Sequence, residues 1–245
     1  MSLLDAVGIT TTLPVEAIIA AGRTPVDLNN LFVTSPNPAE RVEYAEHHGF
    51  PRTICSWIKG IYGTVVAEGI KTVVGVTQGD CSLTHALLEV LQTEDVEVVG
   101  FEYPHGRDRA RLDAEIARFE AAMGADREGT ERVRESLASI RRDLASIDEL
   151  MAGGLPAGMS AKAHLAILSG SDLNGFGEEA FADQTEDVLT EIRNSLTSGK
   201  PRGFVRLALA GVPPIVDDLF DHVERLNARV VLSEMAREFA MMRPG

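Results

Sequence analysis

The chain holds only two cysteines, and both are placed for chemistry. Cys55 stands in Phe50-Pro51-Arg52-Thr53-Ile54-Cys55-Ser56-Trp57-Ile58-Lys59-Gly60, and Cys81 in Val76-Thr77-Gln78-Gly79-Asp80-Cys81-Ser82-Leu83-Thr84-His85. Each is followed by a helix-forming run, Ser56–Ala67 after the first and Ser82–Leu91 after the second. Free N–H groups and the helix dipole favour the anionic thiolate at such a start, and the thiolate is the form that binds soft metals. Each cysteine also follows a strand candidate, Phe50–Ile54 or Thr72–Thr77. In a parallel sheet all strand-to-helix junctions share one edge, where ligands bind. Two thiolates on that edge, 26 positions apart in sequence, could grip one soft metal centre. The bland alternative is two unrelated structural thiols. Two ligands alone do not close a zinc or iron–sulfur site.

Other polar residues near these segments have a functional and a structural reading. His85 lies one turn into the helix after Cys81 and can face the same edge; as structure alone it is a histidine held by local hydrogen bonds. Lys59 could meet a phosphate or an acyl carbonyl; as structure alone it is a solvated surface lysine. Trp57, the one tryptophan, is either a stacking platform or core. Thr10, Thr11 and Thr12 could offer hydroxyls to a ligand, or cap the helix that follows. Asp80 reads as a cap, Asn29-Asn30 as a turn, and His47-His48 as the solvated end of a polar helix. The glycine-rich Gly170–Gly177 lacks the Lys-Ser or Lys-Thr pair of a phosphate-binding loop and reads as a connection.

The elements that must position these residues alternate. Pro14 opens a helix to about Ala21, with Gly22 as its stop. A short strand at Val26–Leu28, a helix from Ala39 to Gly49, and buried strands at Thr72–Thr77 and Val96–Phe101 complete the first part. This predicts an α/β fold with a parallel sheet flanked by helices. Residues 107–152 are dense in charge, with 9 basic and 11 acidic side chains. There Val133, Leu137, Ile140, Leu144, Ile147 and Leu150 form one apolar stripe, the mark of a packed helix. Ala161–Leu168 and Phe181–Leu196 are further helices. A second α/β unit then starts: strand Phe204–Ala210, turn Val212-Pro213-Pro214, helix Ile215–Leu226 and strand Val230–Ser233, before the final Met242-Arg243-Pro244-Gly245. The expected organisation is an α/β domain over 1–106, a helical segment over 107–200 and a partial second α/β domain over 201–245.

Composition bounds the function. The 245 residues are 44% hydrophobic and 24% charged, the balance of a folded globule rather than a disordered chain. A net charge of −14 repels a phosphate backbone, so nucleic acid is not an expected partner. No apolar run approaches the roughly 20 residues of a spanning helix, and Met1–Asp5 lacks the features of a signal peptide. The expectation is a soluble cytoplasmic protein.

Four segments together carry a resemblance: Gly8-Ile9-Thr10-Thr11-Thr12-Leu13-Pro14-Val15-Glu16, Pro25-Val26-Asp27-Leu28-Asn29-Asn30, Cys55 to Gly63, and Thr77-Gln78-Gly79-Asp80-Cys81-Ser82 through Ala86. In this order they resemble the 2-hydroxyacyl-CoA dehydratase family, which includes benzoyl-CoA reductase subunits and double-cubane cluster proteins. Phe204–Ser233 is similar to the start of that family's second α/β domain. The resemblance implies a 4Fe-4S cluster with Cys55 and Cys81 as its first two ligands. It also implies an ATP-dependent activator protein that donates an electron, a homologous partner subunit in a hetero- or homodimer, and water loss from a 2-hydroxyacyl-CoA by a ketyl-radical route. It suggests Thr11, Thr12, Trp57, Lys59 and His85 as substrate-binding candidates. The family's third cysteine lies further along its C-terminal domain, and no cysteine follows Cys81 here. That departure reads as a shortened chain, a third ligand from a partner, or a degenerate site. A non-catalytic or assembly subunit and a cluster-carrying reductase-like protein are the alternatives.

Overall fold

The computed structural model describes residues 5–197, 199, 203–212, 214 and 218–240. It divides into two compact units, residues 1–134 and 135–245.

The first unit is built on strands β1 (Ala6–Ile9), β2 (Thr24–Asp27), β3 (Thr72–Gln78) and β4 (Glu97–Glu102). They form one all-parallel sheet in the order β2-β1-β3-β4. Between and after them run α1 (Val15–Ala20), α2 (Leu28–Val33), α3 (Pro38–His47), α4 (Ser56–Glu68), α5 (Ser82–Thr93) and α6 (Arg109–Met123). Side chains alternate across the sheet, as the period of a strand requires. Val73 joins Leu28, Ile58, Ile61, Val65, Leu87 and Leu91 on the face covered by α2, α4 and α5. Val7, Ile9, Val74 and Val76 join Ile18, Phe101, Phe119 and Met123 on the face covered by α1 and α6. Over β1, β2 and most of β3 both faces are buried, as parallel sheets require.

Two glycines set the depth of α4. A Cβ at Gly63 would stand 2.2 Å from the Arg41 carbonyl oxygen, and one at Gly60 would stand 2.2 Å from the Phe32 ring. The missing side chains let the backbone of α3 and the Phe32 ring of α2 lie directly against the α4 backbone. The helix stops at Gly69, whose φ of +67° is the left-handed cap position, with the Ile70 N–H returning to the Val65 carbonyl.

The second unit holds α8 (Ala138–Gly153), α9 (Met159–Leu168), α10 (Glu178–Ser195), β5 (Val205–Leu209), α11 (Leu219–Arg225) and β6 (Ala228–Ser233). The strands β5 and β6 pair in parallel through α11. Between α9 and α10, Gly170–Gly177 runs as two short helical turns, so it is a connection. His164 on α9 is buried, its ring 5.0 Å from that of Phe220. Burial lowers its pKa to about 4.

The parallel α/β architecture agrees with the sequence, but several elements differ. Phe50–Ile54 is not a strand: Pro51 opens a turn closed by the Ile54 N–H on its carbonyl, and Phe50 packs its ring 4.8 Å from Tyr62. The residues of β1 carried no strand expectation, yet they form the centre of the sheet. Asn29 and Asn30 are not a turn but the first turn of α2, which Asp27 caps by accepting the Asn29 N–H at 2.9 Å. Most of β4, at one edge of the sheet, is only half-buried rather than buried, with Phe101 sealed. The apolar stripe from Val133 is shared between α7 (Arg127–Ser136) and α8, with a break at Leu137, and its end is buried at Met151 rather than Leu150. Only Leu219–Arg225 of the expected helix Ile215–Leu226 is seen as helix; residues 213, 215–217 and 241–245 lie outside the described residues.

Candidate functional site

The strand order fixes where a ligand can enter the first unit. From β1 the chain crosses to β2 on one side, and β3 lies on the other. The order therefore reverses between β1 and β3, and the ligand crevice of such sheets belongs beyond the C-terminal ends of these two strands. Beyond β1 come Thr10, Thr11 and Thr12; beyond β3 come Gly79, Asp80 and Cys81. Gly79 takes a φ of +106° to turn the chain from β3 into α5.

Cys81 is the N-cap residue of α5, and Cys55 is the N-cap residue of α4. Only residues 69–71 join α4 to β3, so α4 runs back along the sheet and begins at the same edge where α5 begins. The two helices share one core and one face. Both thiols are free and exposed, and neither is used as a helix cap. Cys55 does not follow a strand, contrary to the sequence expectation; a turn delivers it to the edge.

The two sulfurs have different surroundings. Asp80 accepts the Cys81 N–H at 2.7 Å and the Thr84 hydroxyl at 3.1 Å, so it does hold the start of α5. Thr84 Oγ1 lies 3.6 Å from Cys81 Sγ. With its own proton given to Asp80, Thr84 is left to accept from the thiol; once that thiol ionises, the hydroxyl can turn and donate to sulfur. His85 is exposed and bonds the Thr77 carbonyl through Nε2, which therefore carries the proton.

A second network ties β1 to the start of α4. The Asn29 amide nitrogen donates to the Thr10 carbonyl at 2.9 Å and to Asp27 Oδ1 at 2.8 Å. Its amide oxygen accepts the Trp57 indole N–H at 2.7 Å. Phe32 meets the indole edge-on at 5.5 Å. Thr10 is buried, and its Oγ1 accepts the Val76 N–H at 3.4 Å. It links the central strands and caps no helix; α1 has Pro14 at that position. Tyr103 donates to the Thr12 carbonyl at 2.8 Å. Burial, aided by the charge of Glu16, pushes its phenol up to about 12, so it stays a donor at neutral pH. The half-buried Thr11 and Thr12 have hydroxyls with no hydrogen-bond partner among the described residues.

Lys59 is not solvated. It is 1% exposed, one turn into α4, and its ammonium donates to Glu46 Oε1 at 2.6 Å and to the Arg52 carbonyl at 3.2 Å. Arg52 Nε stands 3.4 Å from the other Glu46 oxygen. Taking an ammonium out of water costs several kcal/mol unless it is paired and hydrogen-bonded, and these two partners meet that demand. Glu46 is in turn held below the usual carboxylate range, first by the hydrogen bond from Lys59.

The structure thus brings Cys55, Cys81, Thr11, Thr12 and His85 to one edge of the sheet, while Trp57 and Lys59 are engaged behind it. Sequence reasoning missed Asn29, Tyr103, Thr84 and Glu46 as the groups that hold this edge. Asp27 two residues before Asn29 was the available sign of a capped helix, and Thr84 three residues after Cys81 was the sign of a hydroxyl on the sulfur's side of the helix. No group of three or more His, Cys, Asp or Glu able to hold a metal occurs among the described residues. No helix among them is long and apolar enough to cross a membrane.

Compared with known proteins, residues 10–244 match the family model described as 2-hydroxyglutaryl-CoA dehydratase, D-component. No curated protein matches the chain.

Proposed function

The chain belongs to the 2-hydroxyglutaryl-CoA dehydratase D-component family, and on that premise we propose that it is a subunit of an iron–sulfur 2-hydroxyacyl-CoA dehydratase. Cys55 and Cys81 would hold two corners of a 4Fe-4S cluster. The supporting observation is that both thiols stand exposed at the starts of neighbouring helices on one edge of one sheet. That donor set fits such a cluster in chemistry, since soft thiolates select iron–sulfur centres, but it fits only in part. A homologous partner subunit completes it in this reading.

The bound cluster would supply a Lewis acid for the substrate hydroxyl and a path for one electron from an ATP-dependent activator protein. This chain's residues do the rest. Cys55 and Cys81 would hold the iron as thiolates, their protons passing to solvent. Thr84 then turns its hydroxyl to the Cys81 sulfur. Thr11 and Thr12 offer hydroxyls to the polar groups of the thioester at the mouth of the crevice. Asn29, through Thr10 and Trp57, keeps that mouth and the start of α4 in register. The product is the enoyl-CoA left when water leaves by a ketyl-radical route.

Anaerobic reconstitution of the co-expressed pair tests the proposal. Wild type should take up iron and sulfide, and Cys55→Ser or Cys81→Ser should each abolish uptake and dehydration. A wild-type pair that takes up no iron ends this reading. The shortage of a third donor favours a second one, a non-catalytic subunit that shapes the pocket of a cluster-bearing partner. In that case the serine variants would leave turnover of the active pair unchanged.

A further inference from the structure

We infer that Lys59 is a positioning residue for Cys55: its buried ammonium is a strut that holds the turn delivering that thiol to the sheet edge. The inference rests on the cluster reading above for its purpose and on geometry for its substance.

Both acceptors of the Lys59 ammonium lie on the segment just before Cys55. Glu46 is in the last turn of α3, and Arg52 is in the turn that replaces the expected strand. The Lys59 main-chain N–H donates to the Cys55 carbonyl at 3.2 Å. One residue therefore grips the chain before the cysteine with its side chain and the cysteine itself with its backbone. Arg52 keeps its guanidinium in solvent and adds only a longer contact to Glu46, so the lysine is the buried member of the group. Gly60 follows at once and lets α4 pack closely on the Phe32 ring of α2.

An apolar side chain of the same length would fill the space equally well. It would not bind the Arg52 carbonyl, and the turn would keep its Pro51–Ile54 hydrogen bond, the Phe50 N–H on the Ala45 carbonyl and the Phe50 ring on Tyr62 but lose its polar tie to α4. A buried ion pair is a poor source of stability but a directional one, so its expected product is the placement of the turn. Among the described residues Cys81 has no counterpart to this strut. Its segment is held by Asp80 and Thr84, within five residues. The two thiols are thus fixed by independent devices, and that makes the inference testable within one molecule.

The full chain is compared as wild type, Lys59→Met and the double variant Lys59→Met/Glu46→Gln. The double variant removes the pair without stranding a charge, so its urea midpoint returns toward wild type even though the strut stays absent. In the metal-free chain, amide exchange over residues 50–60 should accelerate at least about tenfold in both variants, while β1 and β3 keep wild-type rates. After reconstitution of the pair, a chelator should strip iron about tenfold faster from both, the range expected when an outer support of a metal ligand is lost. Wild-type exchange over 50–60 in the double variant overturns the inference. So does an acceleration that spreads equally to β1 and β3, because Lys59 would then be an ordinary core residue. If the wild-type pair takes up no iron, the cluster reading falls, and the exchange arm still decides the strut.

Discussion

The two parallel sheets follow the same strand–helix–strand order and reach different ends. In the first unit β3 is buried along most of its length, with a partner on each side and helices on both faces. In the second unit β5 has one neighbour, and Val205, at 59% exposed, stands in water with Leu207. An apolar run specifies a strand in both places, β-branched in β3 and leucine-rich in β5. Whether the strand is dry depends on elements far away in sequence. Composition alone therefore predicts the pairing of β5 but not its surroundings.

The comparison breaks or sharpens on three measurements. The largest effect should come from Gly63→Ala. The new Cβ meets a backbone oxygen that cannot rotate away, and the first unit should lose about 3 kcal/mol or more. Trp57 fluorescence in urea reads this directly, because the tryptophan lies in that unit. A midpoint within error of wild type would mean that α3 and α4 can part at no cost.

The second concerns acid and belongs to the other unit. His164 titrates near 4 when folded, against an ordinary value of 6.5. The unfolded chain binds the proton more readily, so the contribution is complete above about pH 6.5 and is lost as pH falls toward 4. Its size is about 3 kcal/mol. Amide exchange in α9 should show that slope, and His164→Leu should remove it. A slope that survives the substitution assigns the acid sensitivity elsewhere.

The smallest effect tests the strands themselves. Val74→Ala should cost about 2 kcal/mol, and Val205→Ala less than about 0.5 kcal/mol. Equal losses would show that β5 is covered in solution.

Much of this architecture was legible in the sequence. Apolar β-branched runs marked β3 and β6, and the Gly69 stop and the helical runs after both cysteines were visible without coordinates. What stayed hidden was non-local. Lys59 reads as a surface residue because its acid lies 13 positions upstream, on a different helix. Asn29 reads as a turn because its partners stand 19 and 28 positions away. The four residues of β1 are too few for a period to show. Phe50 and Ile54 have the composition of a strand, and Pro51 between them makes a turn. The edge location of the two thiols survived these errors, because it depends on where α4 and α5 begin and not on what precedes them.

The uncovered state of both sulfurs makes the molecule's history part of its chemistry. An exposed cysteine is open to oxidation first to the sulfenic acid, which a reductant can reverse, and then to the sulfinic acid, which it cannot. Under the proposed cluster role, a sample oxidised past the sulfenic acid keeps its sequence but has lost the thiolates that would hold iron. For this protein, a glovebox from lysis onward is as much a condition of an informative experiment as the choice of substrate.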